Sequence, residues 1–313
     1  MAYSPTTRAN FPDVLDPAFR KIFTDATNEL AYKYEQVFNV FDSSKNIEKD
    51  SGISGLGRLA RINEGEAVTA DGPIQGYDTT YTHEKYGKKT VITEEMVADD
   101  QFREIEARAK GLAISFNRSV ESSGAEVLNN GWTAGGGTED THISGGDGYA
   151  LFSDSHTRSD GGTAISNQMT SDLAEDALET ALVAMRETVD DRGELILVQP
   201  DTLLIPPALE KEARILLESG GRTATTNNDI NPYQGALKLV VWDFLGSAGG
   251  GSDTAYFVMD SKSNKLNWFW RERSNMDRNV DFDTGNIEYK LTARWSNGFS
   301  DWRGIYGSLG DNS

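Results

Sequence analysis

The chain of 313 residues contains no cysteine. That removes disulfides, thiolate nucleophiles and cysteine-ligated metals from consideration. Histidine is scarce, with three in the whole sequence, a thin supply for acid–base chemistry. Basic side chains are in the minority: 30 Lys and Arg against 49 Asp and Glu leave a formal charge of −19. Such a surface repels phosphate and argues against a general nucleic-acid binder, which needs clustered cations. It is compatible with a container whose acidic wall keeps nucleic acid from sticking. No apolar run reaches the roughly 18 residues of a membrane span, so no membrane partner is expected. The opening Met1-Ala2-Tyr3-Ser4-Pro5-Thr6 lacks the basic and apolar regions of a signal peptide. The expected place is therefore the compartment of synthesis, the cytoplasm of a bacterial host. Walker, HExxH and EF-hand spacings are missing as well.

What is present is a chain long enough for one large domain or two smaller ones. Its 37% hydrophobic content is sufficient for a core, and its 31 glycines predict many loops and extended segments. Residues 14–41 carry Leu15, Phe19, Ile22, Phe23, Leu30, Tyr34, Val37 and Phe38 at helical spacing, with Pro17 near the start. The segment reads either as a first helix of the core or as an arm that docks elsewhere. Ser51-Gly52-Ile53-Ser54-Gly55-Leu56-Gly57 has glycines without the spacing or context of a phosphate loop. Arg58-Leu59-Ala60-Arg61-Ile62 reads as a short strand and Asp71-Gly72-Pro73 as a turn.

Tyr77, Thr79, Tyr81 and His83 share one strand face by period two. Together these segments predict a long β-hairpin over about 56–95. Its faces are too polar for a core, and an isolated hairpin needs packing partners. Other subunits are the natural partners. A long helix follows from Asp99-Asp100, with Phe102, Ile105, Ala109, Leu112, Phe116 and Val120 on one face and Asn129-Asn130-Gly131 as its stop. Residues 101–128 would span roughly 42 Å.

Residues 133–170 form a polar loop interrupted by Tyr149-Ala150-Leu151-Phe152. A helix is predicted over 172–189, a buried strand at Leu195-Ile196-Leu197-Val198, a strand at Leu203-Leu204-Ile205, and a helix opened by Pro206-Pro207. Strands are predicted over 237–242, 254–259 and 266–271, and a last one carries Tyr289, Leu291, Ala293 and Trp295 on one face. The order marks an α+β chain.

Ser153-Asp154-Ser155-His156-Thr157-Arg158-Ser159-Asp160 holds Ser, His and Asp, but in one loop, without the separate rigid supports a triad needs. Glu139, Asp140, Asp147 and Asp154 could gather a cation, yet in no recognised spacing. Catalytic, cofactor and metal residues are therefore not assigned. Lys85, Lys88 and Lys89 suit contact with an acidic neighbouring copy better than a nucleic-acid patch. Trp268, Trp270, Trp295 and Trp302 read as core and interface anchors.

Four stretches carry a family resemblance: Ile92-Thr93-Glu94-Glu95-Met96 with Asp99-Asp100; Asp147-Gly148-Tyr149-Ala150-Leu151-Phe152-Ser153-Asp154-Ser155-His156; Leu203-Leu204-Ile205-Pro206-Pro207-Ala208-Leu209; and Asp301-Trp302-Arg303-Gly304-Ile305-Tyr306. In this order they resemble the major capsid proteins of tailed bacteriophages, in the branch of Mu-like head subunits. The resemblance implies the Hong Kong 97-type fold. Its parts would be an N-terminal arm (1–50), an extended β-hairpin loop (51–97), a peripheral domain (98–189) with a spine helix over 99–129, an axial domain (190–270) and a return to the peripheral domain (271–313). It implies a virion protein, not an enzyme, without a cofactor, assembling in the host cytoplasm as hexamers and pentamers of an icosahedral shell around double-stranded DNA. Scaffolding and portal proteins would be partners, and DNA would be enclosed without sequence-specific binding. No long prefix precedes the arm, which implies a separate scaffolding protein or none removed from this chain. Arg58, Arg61, Tyr77, Thr79, Tyr81, His83, Lys85, Lys88 and Lys89 would contact a neighbouring subunit. The alternatives are an encapsulin-like shell with protein cargo, or an acidic hydrolase with its site in loop 133–170.

Overall fold

The computed structural model describes residues 12–99, 102–133, 145–221 and 230–310. Met1–Thr6, the candidate cation residues Glu139 and Asp140, and the 223–229 loop lie outside the described residues.

The longest element is helix α3, Phe102–Asn129. Ile105, Ala109, Leu112, Ala113, Val120, Val127 and Leu128 are buried along it, the three-and-four spacing that turns one helical face inward. Helix α1, Pro12–Glu29, lies against α3. Phe19 stacks on Tyr289 with ring centroids 3.9 Å apart, and Phe23 joins the same cluster with Met96 and Leu112. The core alternative therefore prevails over the docking arm for these residues: the apolar face finds its partner within the chain. The helix is shorter than the amphipathic pattern, because Tyr34–Gln36 is a separate 3-10 turn leading into strand β1, Asn39–Asp42. Helix α2, Glu94–Ala98, is capped by the Thr93 hydroxyl, which accepts from the Met96 amide.

Two sheets organise the rest. The first has four strands in the order β1, β9, β10, β4, where β9 is Leu266–Val280, β10 Ile287–Phe299 and β4 Glu84–Ile92. β9 and β10 form a long antiparallel hairpin, and β4 pairs with β10 so that Tyr86 stands opposite Ala293 and Lys88 opposite Leu291. α1 and α3 cover the face holding Tyr289, Leu291 and Trp295. The second sheet has five strands in the order β5, β11, β8, β6, β7. These are Gln168–Met169, Ile305–Ser308, Tyr256–Met259, Thr202–Ile205 and Lys238–Val241. Helices α4, Glu175–Arg186, and α5, Glu210–Glu218, supply Leu178, Ala181, Ala213 and Leu217 to its core. β6 and β7 are parallel, which requires a crossover, and α5 provides it.

Between the sheets lies an aromatic cluster of Trp242, Trp268, Trp295, Phe152, Phe257 and Phe299. Trp268, Trp270, Trp295 and Trp302, expected as core and interface anchors, are all buried core groups, as is Trp242. Gly124 lies where α3 passes closest to this cluster: a Cβ there would sit 3.1 Å from the Trp242 ring and 3.2 Å from Tyr34. Glu121, one turn earlier, is buried; its carboxylate accepts from the amides of Lys33, at 2.7 Å, and Tyr34. Burial raises its pKa, and those two hydrogen bonds work in the opposite direction.

Some sequence expectations change. The hairpin is formed by β2, Ile47–Ser54, and β3, Ile74–Thr82. The second half of the expected hairpin is β4, an edge strand of the four-stranded sheet, and Arg58–Ile62 is not a strand. An isolated extended pair is marginal, so residues able to join a covered sheet do so. The buried strand expected over 195–198 is also absent: Leu195 and Ile196 are exposed, as is Leu197, which has φ +56°. A division at 270 falls inside β9, and the final strand β11 belongs to the five-stranded sheet.

Candidate subunit-contact surface

The hairpin has a base and a tip built by different forces. At the base, Tyr81 is enclosed. Its hydroxyl is 2.7 Å from the Ser300 hydroxyl, its ring packs on Phe269 at 4.9 Å, and Asn267 donates to Ser300 at 2.9 Å. Burial pushes the Tyr81 hydroxyl above the usual phenol range, against the lowering hydrogen bonds of Ser300 and Asn267. Next to it His83 is buried between two serines, with Nε2 3.1 Å from Ser43 Oγ and Nδ1 2.9 Å from Ser296 Oγ. Ser43 uses its proton on Glu48 at 2.7 Å, so it accepts from His83 Nε2, and Nδ1 accepts from Ser296. The network thus assigns one neutral tautomer. Desolvation holds the His83 pKa down, Arg294 and Arg271 add to that, and Glu48 opposes it.

Thr79 is buried on the same face. Period two correctly grouped Tyr77, Thr79, Tyr81 and His83, but the last three turn into their own chain rather than toward another copy. The reason is Phe269 and Ser300, which offer this face a packed floor. Tyr77, half-buried, reaches Thr157 with its hydroxyl at 3.3 Å.

At the tip, residues 55–73 form neither strand nor helix. Leu59 is 100% exposed, and Leu56, Ile62 and Val68 are exposed with it. Polar links hold the tip: Arg192 Nη1 grips both Asp71 oxygens at 3.1 and 3.0 Å, Arg192 also donates to Gly72 O, and Arg58 pairs with Glu194. Arg61 is exposed. Sequence reasoning missed Asp71, Arg192 and Glu194. Asp190-Asp191-Arg192-Gly193 signalled only a helix stop, and nothing local revealed that a segment about 120 residues earlier folds onto it.

The lysines lie along β4. Lys85 is exposed, Lys88 donates to Ser115 of α3 at 2.9 Å, and Lys89 pairs with Glu288 at 2.7 Å. Charges on an edge strand discourage uncontrolled strand pairing. Between β4 and α3 runs a groove of about 270 Å³ lined by Tyr86, Leu112, Phe116, Leu291 and Trp295.

The loop that tempted a catalytic reading is a structural clamp. His156 is fully buried, stacks on Trp302 at 4.3 Å, and meets acceptors at both ring nitrogens: Asp147 Oδ2 at 2.7 Å and Asn167 Oδ1 at 3.1 Å. Asn167 in turn donates to Leu151 O and Ile305 O, tying the loop to β11. Among the described residues no group of three or more acidic or histidine side chains is arranged to hold a metal, and no helix is long and apolar enough to cross a membrane.

A family model described as phage capsid protein matches residues 76–308. No curated protein matches the sequence with significance. Among solved structures, the fold is similar to that of a chain from Microbacterium phage Oxtober96, with a TM-score of 0.55 and 12% identity, covering 90% of this chain and 92% of that one. It is similar also to the capsid of an empty GTA particle, with a TM-score of 0.57 and 10% identity over 88% and 89% of the two chains. A virus-like particle from Pyrococcus furiosus gives 0.51 and 11% over 93% and 97%. At these identities the structures establish a shared fold, which is the α+β fold of Hong Kong 97 type, and the family match over most of the sequence supplies the rest: the chain belongs to the phage capsid protein family.

Proposed function

We propose that this chain is the major head subunit whose copies self-assemble into an icosahedral shell around double-stranded phage DNA. The observation that carries the reading is the family match across residues 76–308, which takes in the long helix, the five-stranded sheet and every strand of the four-stranded sheet except β1. In this reading the four-stranded sheet with α1 and α3 forms the peripheral domain, and α3 is its spine. The five-stranded sheet with α4 and α5 forms the axial domain around the hexamer and pentamer centres. The β2–β3 hairpin, with its exposed apolar tip, is the extended loop that lies on a neighbouring subunit. Arg58, Arg61 and Tyr77 on the hairpin, with Lys85, Lys88 and Lys89 on the sheet edge, contact that neighbour. The net charge of −19 supports a wall that encloses DNA without gripping its sequence. Portal and scaffolding proteins act beside it, and assembly takes place in the host cytoplasm.

Negative-stain microscopy of the purified protein tests this. Uniform shells, or pentamers and hexamers, are expected; a stable monomer at every concentration contradicts it. The gene's position beside terminase and portal genes separates a phage head from an encapsulin-like cargo shell.

A further inference from the structure

We propose that the turn at residues 190–194 is a receptor for the hairpin tip, and that in the shell the tip it holds belongs to a second copy of the chain. The inference rests on the reading of the hairpin as an intersubunit element. It adds where the tip binds and what it does before assembly.

The turn is built to be rigid. Asp190 Oδ1 accepts from the amides of Arg192 at 2.8 Å and Glu194 at 2.9 Å. Gly193 at φ +82° makes the reversal that a side chain would strain. Asp191 behind it is fixed by Arg303 at 3.0 Å and the Ser159 amide at 3.3 Å, and Arg303 also lies over the Trp302 ring. This frame presents one cation, Arg192, and one anion, Glu194, to the outside.

The tip carries the reverse pair, Asp71 and Arg58, and the Gly72 carbonyl accepts from Arg192 beside Asp71. The two reversed charge pairs set register and exclude a slipped or inverted tip. Yet the tip gains little by sitting on its own subunit. Leu56, Leu59 and Val68 stay exposed, and ion pairs at a surface contribute little. The same contacts are available to the tip of a neighbour without any new chemistry, which is the condition for exchanging an identical element between copies. In the free subunit, then, the turn is occupied by its own Asp71 and Arg58. On assembly the tips exchange, the charge pairs re-form between copies, and the apolar side chains become free to pack on the neighbour.

Charge reversal separates exchange from a contact that stays within one chain. Asp71→Arg alone and Arg192→Asp alone each set like charges against each other, both within and between copies. Each is expected to lower shell yield by about tenfold or more, since like charges set against each other in an interface oppose association. Co-expressed, the two variants restore complementarity only between unlike copies. Sedimented shells containing both chains in near-equal amounts are the expected result. Co-expression that yields no more shells than either variant alone overturns the exchange, as does wild-type yield from either single variant. If a variant of this pair fails to give folded soluble subunit by circular dichroism, Arg58→Glu with Glu194→Arg repeats the test at the second pair. Removal of the tip tests the underlying reading separately: if that removal abolishes shells while co-expression fails to rescue them, the hairpin's role stands and the exchange does not.

Discussion

Two antiparallel hairpins of this molecule invite comparison. β9 and β10 form one, β2 and β3 the other, and the chain treats them in opposite ways. The first is sealed: Trp268 and Trp295 face each other across it at 5.9 Å, Tyr86 stacks on Trp295 at 4.0 Å, and α3 closes the face. The second is sealed at its base, where Thr79 and Tyr81 are buried, and beyond Ser54 its apolar side chains face water. Burial of aromatic area makes one hairpin part of a folding unit; withholding burial leaves the other available for association. In the proposed function, stability rests on the first hairpin and association on the exposed tip of the second.

The two hairpins differ most at the tryptophans. Trp295→Ala is expected to destabilise the subunit by about 3–5 kcal/mol through the cavity it leaves, read as a lower urea midpoint. Leu59→Ala should stay within about 0.5 kcal/mol, as exposed positions do, while reducing shell formation. Equal stability losses at the two positions would erase the distinction between the hairpins.

At the junction of the two, Tyr81→Phe removes one buried hydroxyl and should cost about 1 kcal/mol. Ser300 and Asn267 keep each other as partners, so the loss stays modest. Urea unfolding of the purified subunit measures it.

A finer test is pH. The His83 pKa is held below its usual value, so its contribution is present above the unfolded value near 6.5 and is lost as pH falls through the folded value. Glu121 has the opposite sign. Its folded pKa is raised, so its contribution is full below the unfolded carboxylate value and is lost as pH rises through the raised one. Unfolding midpoints across mild acid should therefore change slope in opposite directions for His83→Asn and Glu121→Gln. Parallel changes would contradict the assigned environments.

Legibility in the sequence followed the same divide. The long helix, the helices near 175 and 210, and the strands carrying Leu204, Phe257 and Trp295 were readable because each has a one-sided apolar pattern set by local period. So was the shared face of Tyr77, Thr79, Tyr81 and His83. Its destination was not readable, because Phe269 and Ser300 lie far along the chain. β4 was assigned to the wrong partner for a related reason: Lys85 and Lys89 alternate with Tyr86 and Lys88, a pattern that fits a free hairpin and a sheet edge equally well. Leu195-Ile196-Leu197 read as buried from composition, yet Leu197 adopts φ +56° and all three are exposed. The contacts of Arg192 with Asp71 and of Glu194 with Arg58 depend on tertiary proximity alone, so no local pattern signals them.

The subunit is expected to fold without the hairpin tip and to fail to assemble without it. Removing residues 60–85 would not test this cleanly, because it takes away the buried Tyr81 and His83. Replacing only 57–70 with a short Gly-Ser turn does. A soluble subunit with unchanged thermal midpoint and no shells by negative-stain microscopy is expected; shells at wild-type yield would contradict the hairpin's role in assembly.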